Sequence, residues 1–230
     1  MKSNLGILIY DDAQPMDIMG PWEVFSFWKN SLNAPITMHL ISELGSFVHC
    51  INNIVLKAHC DFDHSPLLDY LIVPGGPGRI KQMNNDKLLA FIREQSTHCK
   101  YILSDCTGMF LLYKAGLLKN KSVTTYWRAL PELKSYPDIK IIEERLVKCG
   151  NIWTAGGVSS GIDLALALIA ELAGDEMAGK VQLLFEYFPR RTIYCSEKTA
   201  QSLPAYGHIT PDQQYLPQYI KDSIQSKDNE

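Results

Sequence analysis

The sequence contains no apolar run long enough to cross a bilayer, which takes about 20 residues. The N-terminal apolar run, Leu5 to Tyr10, is too short for the core of a signal peptide and stops at two aspartates. A later apolar stretch, 161–173, contains Asp163 and Glu171 and therefore indicates a buried core helix. These absences predict a cytoplasmic protein with no membrane partner.

A large excess of charge is absent as well. Twenty-two basic residues stand against 25 acidic ones, a formal net charge of -3, and this balance argues against a nucleic-acid surface. We therefore expect a small molecule, and no nucleic acid, as the partner.

The cysteines lack the spacing of a metal site. The sequence has 6 cysteines, at positions 50, 60, 99, 106, 149 and 195, with no C-x-x-C pair and no Cys/His ligand spacing. The 6 histidines are scattered in the same way. We expect reduced thiols, no bound metal and no cofactor.

What the sequence does contain is an alternation of short apolar runs and helix-like segments. Predicted strands lie at 5–10, 36–41, 51–57, 70–73, 101–103, 122–125, 139–142 and 146–154, the last two as a hairpin-like addition. Predicted helices begin at Pro21, Asn85, Met109, Gly161 and Asp175. The alternation predicts one α/β domain over 1–189. The polar, proline-containing remainder, 190–230, is predicted to be a C-terminal extension that packs on this domain or trails from it.

The stretch Ser104 to Gly108 predicts a sharp turn between a strand and a helix. Apolar runs at 101–103 and 109–112 flank it, which is the pattern of a nucleophile elbow with Cys106 at its apex. A helix N-terminus stabilises a thiolate, so we expect Cys106 to be the one cysteine with a lowered pKa. By itself the stretch fits a small residue packed at a turn equally well, since free cysteine is often buried.

Two further loops follow apolar strands. Asp17 is predicted to lie in a loop after the first strand, ahead of the helix that begins at Pro21. Gly75 and Gly76 follow the strand 70–73, and their loop is either half of an oxyanion hole or merely a tight turn. Ligands bind at the carboxyl ends of strands in open α/β sheets, so the three loops together predict a site.

Six motifs, in this order, resemble those of the ThiJ/PfpI superfamily. They are DIMGPWEVF at 17–25, VPGG at 73–76, CTG at 106–108, AGLL at 115–118, TTYW at 124–127 and TAGGVSSGID at 154–163. The resemblance covers roughly residues 4 to 189, and within the superfamily it is to the isonitrile hydratase branch. It implies the class I glutamine amidotransferase-like fold, which is a flavodoxin-like three-layer α/β sandwich with a mostly parallel central sheet.

The resemblance also implies roles for individual residues. Cys106 is the nucleophile, and Asp17 is its acid/base partner. The backbone N–H groups of Gly76 and Thr107 face the developing charge, and the Thr107 hydroxyl offers a further hydrogen bond.

One position departs from the family pattern. Tyr126 stands where relatives often have histidine, and no histidine occurs between His98 and His208. A Cys–His hydrolase is therefore disfavoured, which leaves Asp17 for proton transfer. An ordinary phenol is protonated at neutral pH, so Tyr126 is expected to orient substrate or water and not to act as a base.

The implied function is that of a hydro-lyase, which hydrates an isonitrile, R–N≡C, to an N-substituted formamide without a cofactor. Two alternatives stay open. The same cysteine acts on a glyoxal, as a glyoxalase or deglycase does, or on oxidants; or the chain binds a small molecule without catalysis. A transcription regulator is disfavoured, because the roughly 40 residues after Arg190 are too few and too proline-rich for a helix-turn-helix region.

The resemblance further implies a homodimer, which the 46% hydrophobic composition permits. We expect light scattering, measured on the eluate of a size-exclusion column, to give twice the mass of one chain. A monomer mass at micromolar protein concentration would contradict this prediction.

Overall fold

A computed structural model describes residues 2–189. Its elements are, in chain order, β1 (Ser3–Leu8), α1 (Pro15–Ser31), β2 (Ile36–Ile41), β3 (Phe47–His49), β4 (Val55–Lys57), β5 (Tyr70–Val73), α2 (Arg79–Gln82), α3 (Asp86–Ser96), β6 (Tyr101–Ser104), α4 (Met109–Lys114), β7 (Ser122–Val123), α5 (Leu130–Leu133), β8 (Lys140–Ile141), β9 (Leu146–Cys149), β10 (Ile152–Ala155), α6 (Ser160–Ala173) and α7 (Asp175–Leu184). Short 3-10 turns cover Ile51–Asn53, Cys106–Gly108 and Trp127–Ala129. The predicted extension, 190–230, lies outside the described residues.

The central sheet has the strand order β2-β1-β5-β6-β10-β9. Its first five strands are parallel, and β9 pairs antiparallel with β10 at one edge. All of β5 and most of β1 are buried, as expected for apolar strands that have helices on both faces. The five parallel strands follow the flavodoxin-like order, so the predicted fold class is confirmed.

Helices cover both faces of this sheet. α1, α6 and α7 pack together on one face, and α2, α3 and α4 pack together on the other. Right-handed crossovers place the helices after β1 and after β5 on opposite sides. Pro21 of α1 lies against Gly161 of α6, where a side chain would have no room, so these two helices approach closely. Between residues 2 and 189, none of the helices combines the length and the apolar composition that a membrane crossing needs.

The sheet brings the three predicted loops to one edge. β1, β5 and β6 are parallel neighbours, so their carboxyl ends lie side by side. From β1 the chain moves to β2 on one side, and it later returns to β5 on the other side. The strand order therefore reverses between β1 and β5, and ligands bind at such a switch point in open α/β sheets.

The first helix starts earlier than predicted. α1 begins at Pro15, which is the proline that suits a first helical turn, and Pro21 lies inside the helix. Pro21 has no N–H to donate to the carbonyl of Asp17, so one hydrogen bond of α1 is missing at this position. Because proline lacks this hydrogen bond, the sequence suggests that a helix starts at Pro21. The predicted loop position of Asp17 is wrong, because Asp17 lies in the first turn of α1 with its N–H 3.1 Å from the Gln14 carbonyl.

Three of the shorter predicted strands also differ from the structure. The strand predicted at 139–142 is β8, which pairs in parallel with β7 in a separate sheet and not with β9. The stretch 146–154 is two strands, because Gly150 adopts a left-handed φ of +61° and the chain turns back on itself. Of the predicted strand 51–57 only β4 forms, paired with β3.

Candidate active site

Hydrogen bonds tie the loops at the sheet edge to one another. The Tyr10 hydroxyl donates to the Pro74 carbonyl at 2.7 Å. The Gly76 N–H donates to Thr107 Oγ1 at 3.0 Å, which joins the loop after β5 to the turn after β6. A side chain on Gly75 would overlap the backbone nitrogen of Thr107. The loops are therefore positioned by direct contact with each other as well as by their strands.

Cys106 occupies the apex of the predicted turn. Its φ is +55°, an uncommon left-handed conformation for a residue with a side chain, and it is only 5% exposed. Asp105 Oδ1 accepts a hydrogen bond from the Cys106 N–H at 2.9 Å, and Thr125 Oγ1 donates to the Cys106 carbonyl at 2.8 Å. These two hydrogen bonds hold the turn in place and stabilise its strained backbone conformation.

Asp17 places a buried carboxyl group beside this turn. The residue has no exposed surface, and its Oδ2 accepts the N–H of Gly75 at 2.8 Å. Its Oδ1 is buried without a hydrogen-bond partner of ordinary geometry. Burial, and then the negative charge of Asp105, raise the pKa of Asp17 well above its ordinary value, while Gly75 and the Cys106 side chain oppose the rise. Asp17 is therefore a candidate for a carboxylic acid that keeps its proton.

Asp105 is a second buried carboxyl group, which the sequence analysis did not single out. Its Oδ1 accepts the Ser160 hydroxyl at 2.7 Å in addition to the Cys106 N–H. Its Oδ2 is buried without a partner. Burial raises the pKa of Asp105 to about 7, and the Ser160 hydrogen bond is the strongest of the effects that oppose it. An acidic residue directly before the predicted nucleophile was the signal that could have identified it.

The expected lowering of the Cys106 pKa is wrong. Burial, followed by the charges of Asp17 and Asp105, raises the pKa of Cys106 well above its ordinary value. The N–H groups of Val158 and Thr107 bind the sulfur and oppose this rise, which is the effect that the elbow predicts, but they are outweighed. The surroundings of Cys106 therefore favour the thiol over the thiolate.

The turn before α6 contributes Val158 to the site and supports the ring of Tyr126 through Gly157. Val158 has a φ of +51°, which is a genuine outlier for a β-branched residue, and this conformation turns its N–H toward Cys106. The ring of Tyr126 packs on Gly157, where an added side chain would overlap it. The glycine-rich motif at 154–163 thus shapes two walls of the site.

A cleft of about 420 Å³ opens next to Cys106. Its apolar lining residues are Ile51, Pro77, Ile80, Ala129 and Val158. Its charged lining residues are Arg79, Arg128 and Glu132, none of which the sequence analysis identified. Gly76, Thr107 and Tyr126 line it as well. The cleft is therefore mostly apolar, with a few polar groups, as is common for small-molecule sites.

The structure brings Cys106, Asp17, Thr107 and Gly76 together and puts Tyr126 on the wall of the same cleft. Their assigned roles stay predictions, because proximity alone does not test them. Within residues 2–189, no three His, Cys, Asp or Glu side chains come together in a way that could hold a metal ion. The arrangement offers a thiol nucleophile and a neighbouring carboxylic acid, which can transfer a proton while sulfur attacks.

The chain is similar to several known proteins. A model of the DJ-1/PfpI family matches residues 4–171. The chain is 36% identical over 192 residues to an isonitrile hydratase of Pseudomonas putida, across 82% of this chain and 80% of that protein. It is 32% identical over 121 residues to protein dj-1beta of Drosophila melanogaster, across 51% of this chain and 63% of that protein. A solved ThiJ/PfpI family protein from Pseudomonas syringae superposes with a TM-score of 0.78 at 24% identity, over 99% of this chain and 86% of that one.

We predict that Asp105→Asn makes the Cys106 thiol more acidic. The substitution removes a negative charge next to the sulfur, so the thiolate is formed at lower pH. The rate of iodoacetamide alkylation at Cys106, read by peptide mass spectrometry, should rise about tenfold at a fixed pH for each unit by which the thiol pKa falls.

Asp86→Asn is the matched control, because it makes the same charge change at an exposed position in the first turn of α3. It should leave the pH profile at Cys106 unaltered. An unshifted profile for a folded Asp105→Asn protein would show that Asp105 exerts no electrostatic effect on the nucleophile.

Proposed function

The chain belongs to the DJ-1/PfpI family, and from that premise we propose that it is a hydro-lyase that converts an isonitrile, R–N≡C, to an N-substituted formamide. The observation that carries the proposal is the partner of Cys106. This partner is a buried carboxyl group, Asp17, and none of the described residues that line the cleft is a histidine. A Cys–His hydrolase needs an imidazole base, whereas this pair suits a reaction in which an acid and a thiol act together.

Isonitrile chemistry fits a protonated pair of this kind. The terminal carbon of an isonitrile accepts both the nucleophile and the proton, so acid and thiol must reach the same atom. The raised pKa values of Asp17 and Cys106 keep both protons in place until substrate arrives. A preformed thiolate is not required, because proton transfer to carbon accompanies the formation of the C–S bond.

In the first step, the Cys106 sulfur bonds to the terminal carbon while Asp17 donates its proton to that carbon. The thiol proton passes to the Asp17 carboxylate, which restores the acid. The product is a thioimidate, Cys–S–CH=N–R, which contains every atom of the thiol and the isonitrile.

In the second step, water adds to the thioimidate carbon. Asp17 donates its proton to the nitrogen and, as a carboxylate, takes one from the attacking water, which gives Cys–S–CH(OH)–NH–R. The C–S bond then breaks as the hydroxyl proton leaves for Asp17 and sulfur receives a proton from it. Formamide, HC(=O)–NH–R, is released, and both the thiol and the acid are regenerated.

Thr107 is the hydrogen-bond donor that we assign to the substrate nitrogen. Its Oγ1 accepts the Gly76 N–H at 3.0 Å, so its own hydroxyl proton is left to donate. The resemblance implies that the Gly76 N–H faces the developing charge directly; because this N–H binds Thr107 Oγ1, we propose that Gly76 also acts by fixing that hydroxyl. Tyr126, on the cleft wall, orients the substrate or the hydrating water.

We also propose a homodimer in the cytoplasm, with no nucleic-acid or membrane partner. Exposed apolar side chains on the β3–β4 hairpin support self-association: Phe47 is 62% exposed and Val55 is 49% exposed. Apolar surface of this kind is typical of protein interfaces.

The first prediction of this mechanism is that Asp17→Asn abolishes isonitrile turnover while the fold survives. Asparagine still accepts the Gly75 N–H but cannot transfer a proton, and general acid–base help of this kind contributes about 10²- to 10⁴-fold in rate. Formamide production and the thermal unfolding curve by circular dichroism are the two measurements. A folded Asp17→Asn enzyme with near wild-type turnover would remove Asp17 from the mechanism.

Two controls make the assay specific. Asp12→Asn changes an exposed aspartate with no side-chain role in the site, and it should keep wild-type turnover. Cys106→Ala should have none. Running glyoxals and simple amides beside the isonitrile separates the alternatives, because turnover of a glyoxal alone would favour carbonyl chemistry at the same cysteine.

The second prediction is that Tyr126→Phe keeps most of the activity. The ring, which packs on Gly157, is retained, and only the hydroxyl is lost. We expect kcat to fall by less than about tenfold, since a single neutral hydrogen bond contributes about 0.5–1.5 kcal/mol. A loss as deep as that of Cys106→Ala, measured on the same isonitrile, would make Tyr126 part of the proton-transfer machinery.

A further inference from the structure

The charged side chains that line the cleft are two arginines, Arg79 and Arg128, and one glutamate, Glu132, so positive charge is in excess. Arg79 is 7% exposed, and its two terminal nitrogens bind the two oxygens of Glu132, one of them at 2.9 Å. Its guanidinium carbon also lies 4.0 Å from the centre of the Phe110 ring. The charge of Arg79 is therefore compensated, and its position is fixed.

Arg128 is the uncompensated charge. Its side chain is exposed, and it forms no ion pair with any residue in the range 2–189. Glu132 lies four residues further along the chain and would be its natural partner, but the Glu132 carboxylate is occupied by Arg79. The Arg128 guanidinium carbon lies 5.8 Å from the centre of the Trp127 ring, at the outer limit of a cation–π contact. The cleft is therefore lined by one guanidinium group that has no ion-pair partner among residues 2–189.

The position of the nucleophile sets the direction of the substrate. Cys106 is 5% exposed, whereas Ile80, which lines the same cleft, is 59% exposed. The terminal carbon of an isonitrile must reach the sulfur, so the side group R extends outward. R then meets other groups that line the cleft, among them the apolar side chains of Ile51 and Ile80 and the guanidinium group of Arg128.

We propose that Arg128 binds a carboxylate on the side group R, so that the substrate class is isonitriles with an apolar body and a carboxylate at the far end. A guanidinium group offers two parallel N–H donors that match a carboxylate. The isonitrile part rests on the proposed function, whereas the anion preference is a property of the cleft itself. The two parts can therefore be tested separately.

The first test uses Cys106 alkylation and needs no isonitrile. Iodoacetate and iodoacetamide attack the same thiol and differ chiefly in charge, so the ratio of their rates at Cys106 reports the field in the cleft. Arg128→Gln should lower this ratio about three- to tenfold, as expected for one partly exposed charge pair, and added salt should reduce the difference. Arg128→Lys, which keeps the charge, should retain most of the ratio.

Two references accompany this measurement. Arg93→Gln removes an exposed arginine on α3 that does not line the cleft, and it should leave the ratio unchanged. Cys149 on β9 is an internal reference, because the ratio at that thiol should not respond to Arg128→Gln. An unchanged ratio at Cys106 in Arg128→Gln would overturn the anion site.

The second test compares an aryl isonitrile that carries a carboxylate with its methyl ester. Wild-type enzyme should favour the carboxylate in kcat/KM, mainly through a lower KM, and Arg128→Gln should lose that preference. Equal values for acid and ester would overturn the inference while the proposed function stands. If wild type turns over neither compound but the alkylation ratio still depends on Arg128, the anion site stands and the isonitrile assignment fails.

Discussion

Three acidic groups are buried close together in the structure, and burial and mutual repulsion prevent all three from being ionised at once. Asp17, Asp105 and Cys106 are buried at the carboxyl ends of β1 and β6, and burial raises the pKa of each one. Each charge that forms makes the next one more costly, so the group titrates as a unit. The surrounding backbone N–H groups, Gly75 for Asp17 and Val158 for the sulfur, stabilise the charged forms only in part. Loss of a proton to solvent is therefore unfavourable for each of the three groups.

Local sequence patterns were sufficient where a short segment decides its own structure. The apolar runs on either side of Cys106 predict the strand, the turn and the helix, and the parallel sheet follows from the buried character of β1 and β5. Local patterns do not determine where α1 starts, because Pro15 and Pro21 are both suited to a first helical turn. The close contact of Pro21 with Gly161, which fixes its place inside the helix, spans 140 positions of sequence.

Electrostatic properties depend on contacts that are distant in sequence, so local sequence patterns do not predict them. A helix N-terminus predicts a more acidic Cys106, but two carboxyl groups and burial reverse the sign. Asp105 is adjacent to Cys106 in sequence, yet its role depends on Ser160, 55 residues away. The pairing of Arg79 with Glu132 spans 53 residues, and it leaves Arg128 without an ion-pair partner among residues 2–189. No periodicity or spacing rule reports which of two arginines takes a single glutamate.

The buried Asp105 carboxyl group lowers the stability of the fold at neutral pH, although it also affects protonation in the site. The pKa of Asp105 is about 7 in the folded chain against an ordinary value of 3.8, so the folded state binds more protons than the unfolded state between these limits. Stability therefore falls as pH rises from about 4 to about 7, and each unit of the pKa rise corresponds to about 1.4 kcal/mol. The core of the sheet must offset this loss at neutral pH.

Replacing Asp105 by a neutral residue relieves the penalty, but it also removes the charge that helps to keep the proton on Asp17. A buried carboxyl group with a raised pKa, next to Cys106 at a cleft, is a candidate for a role in proton transfer.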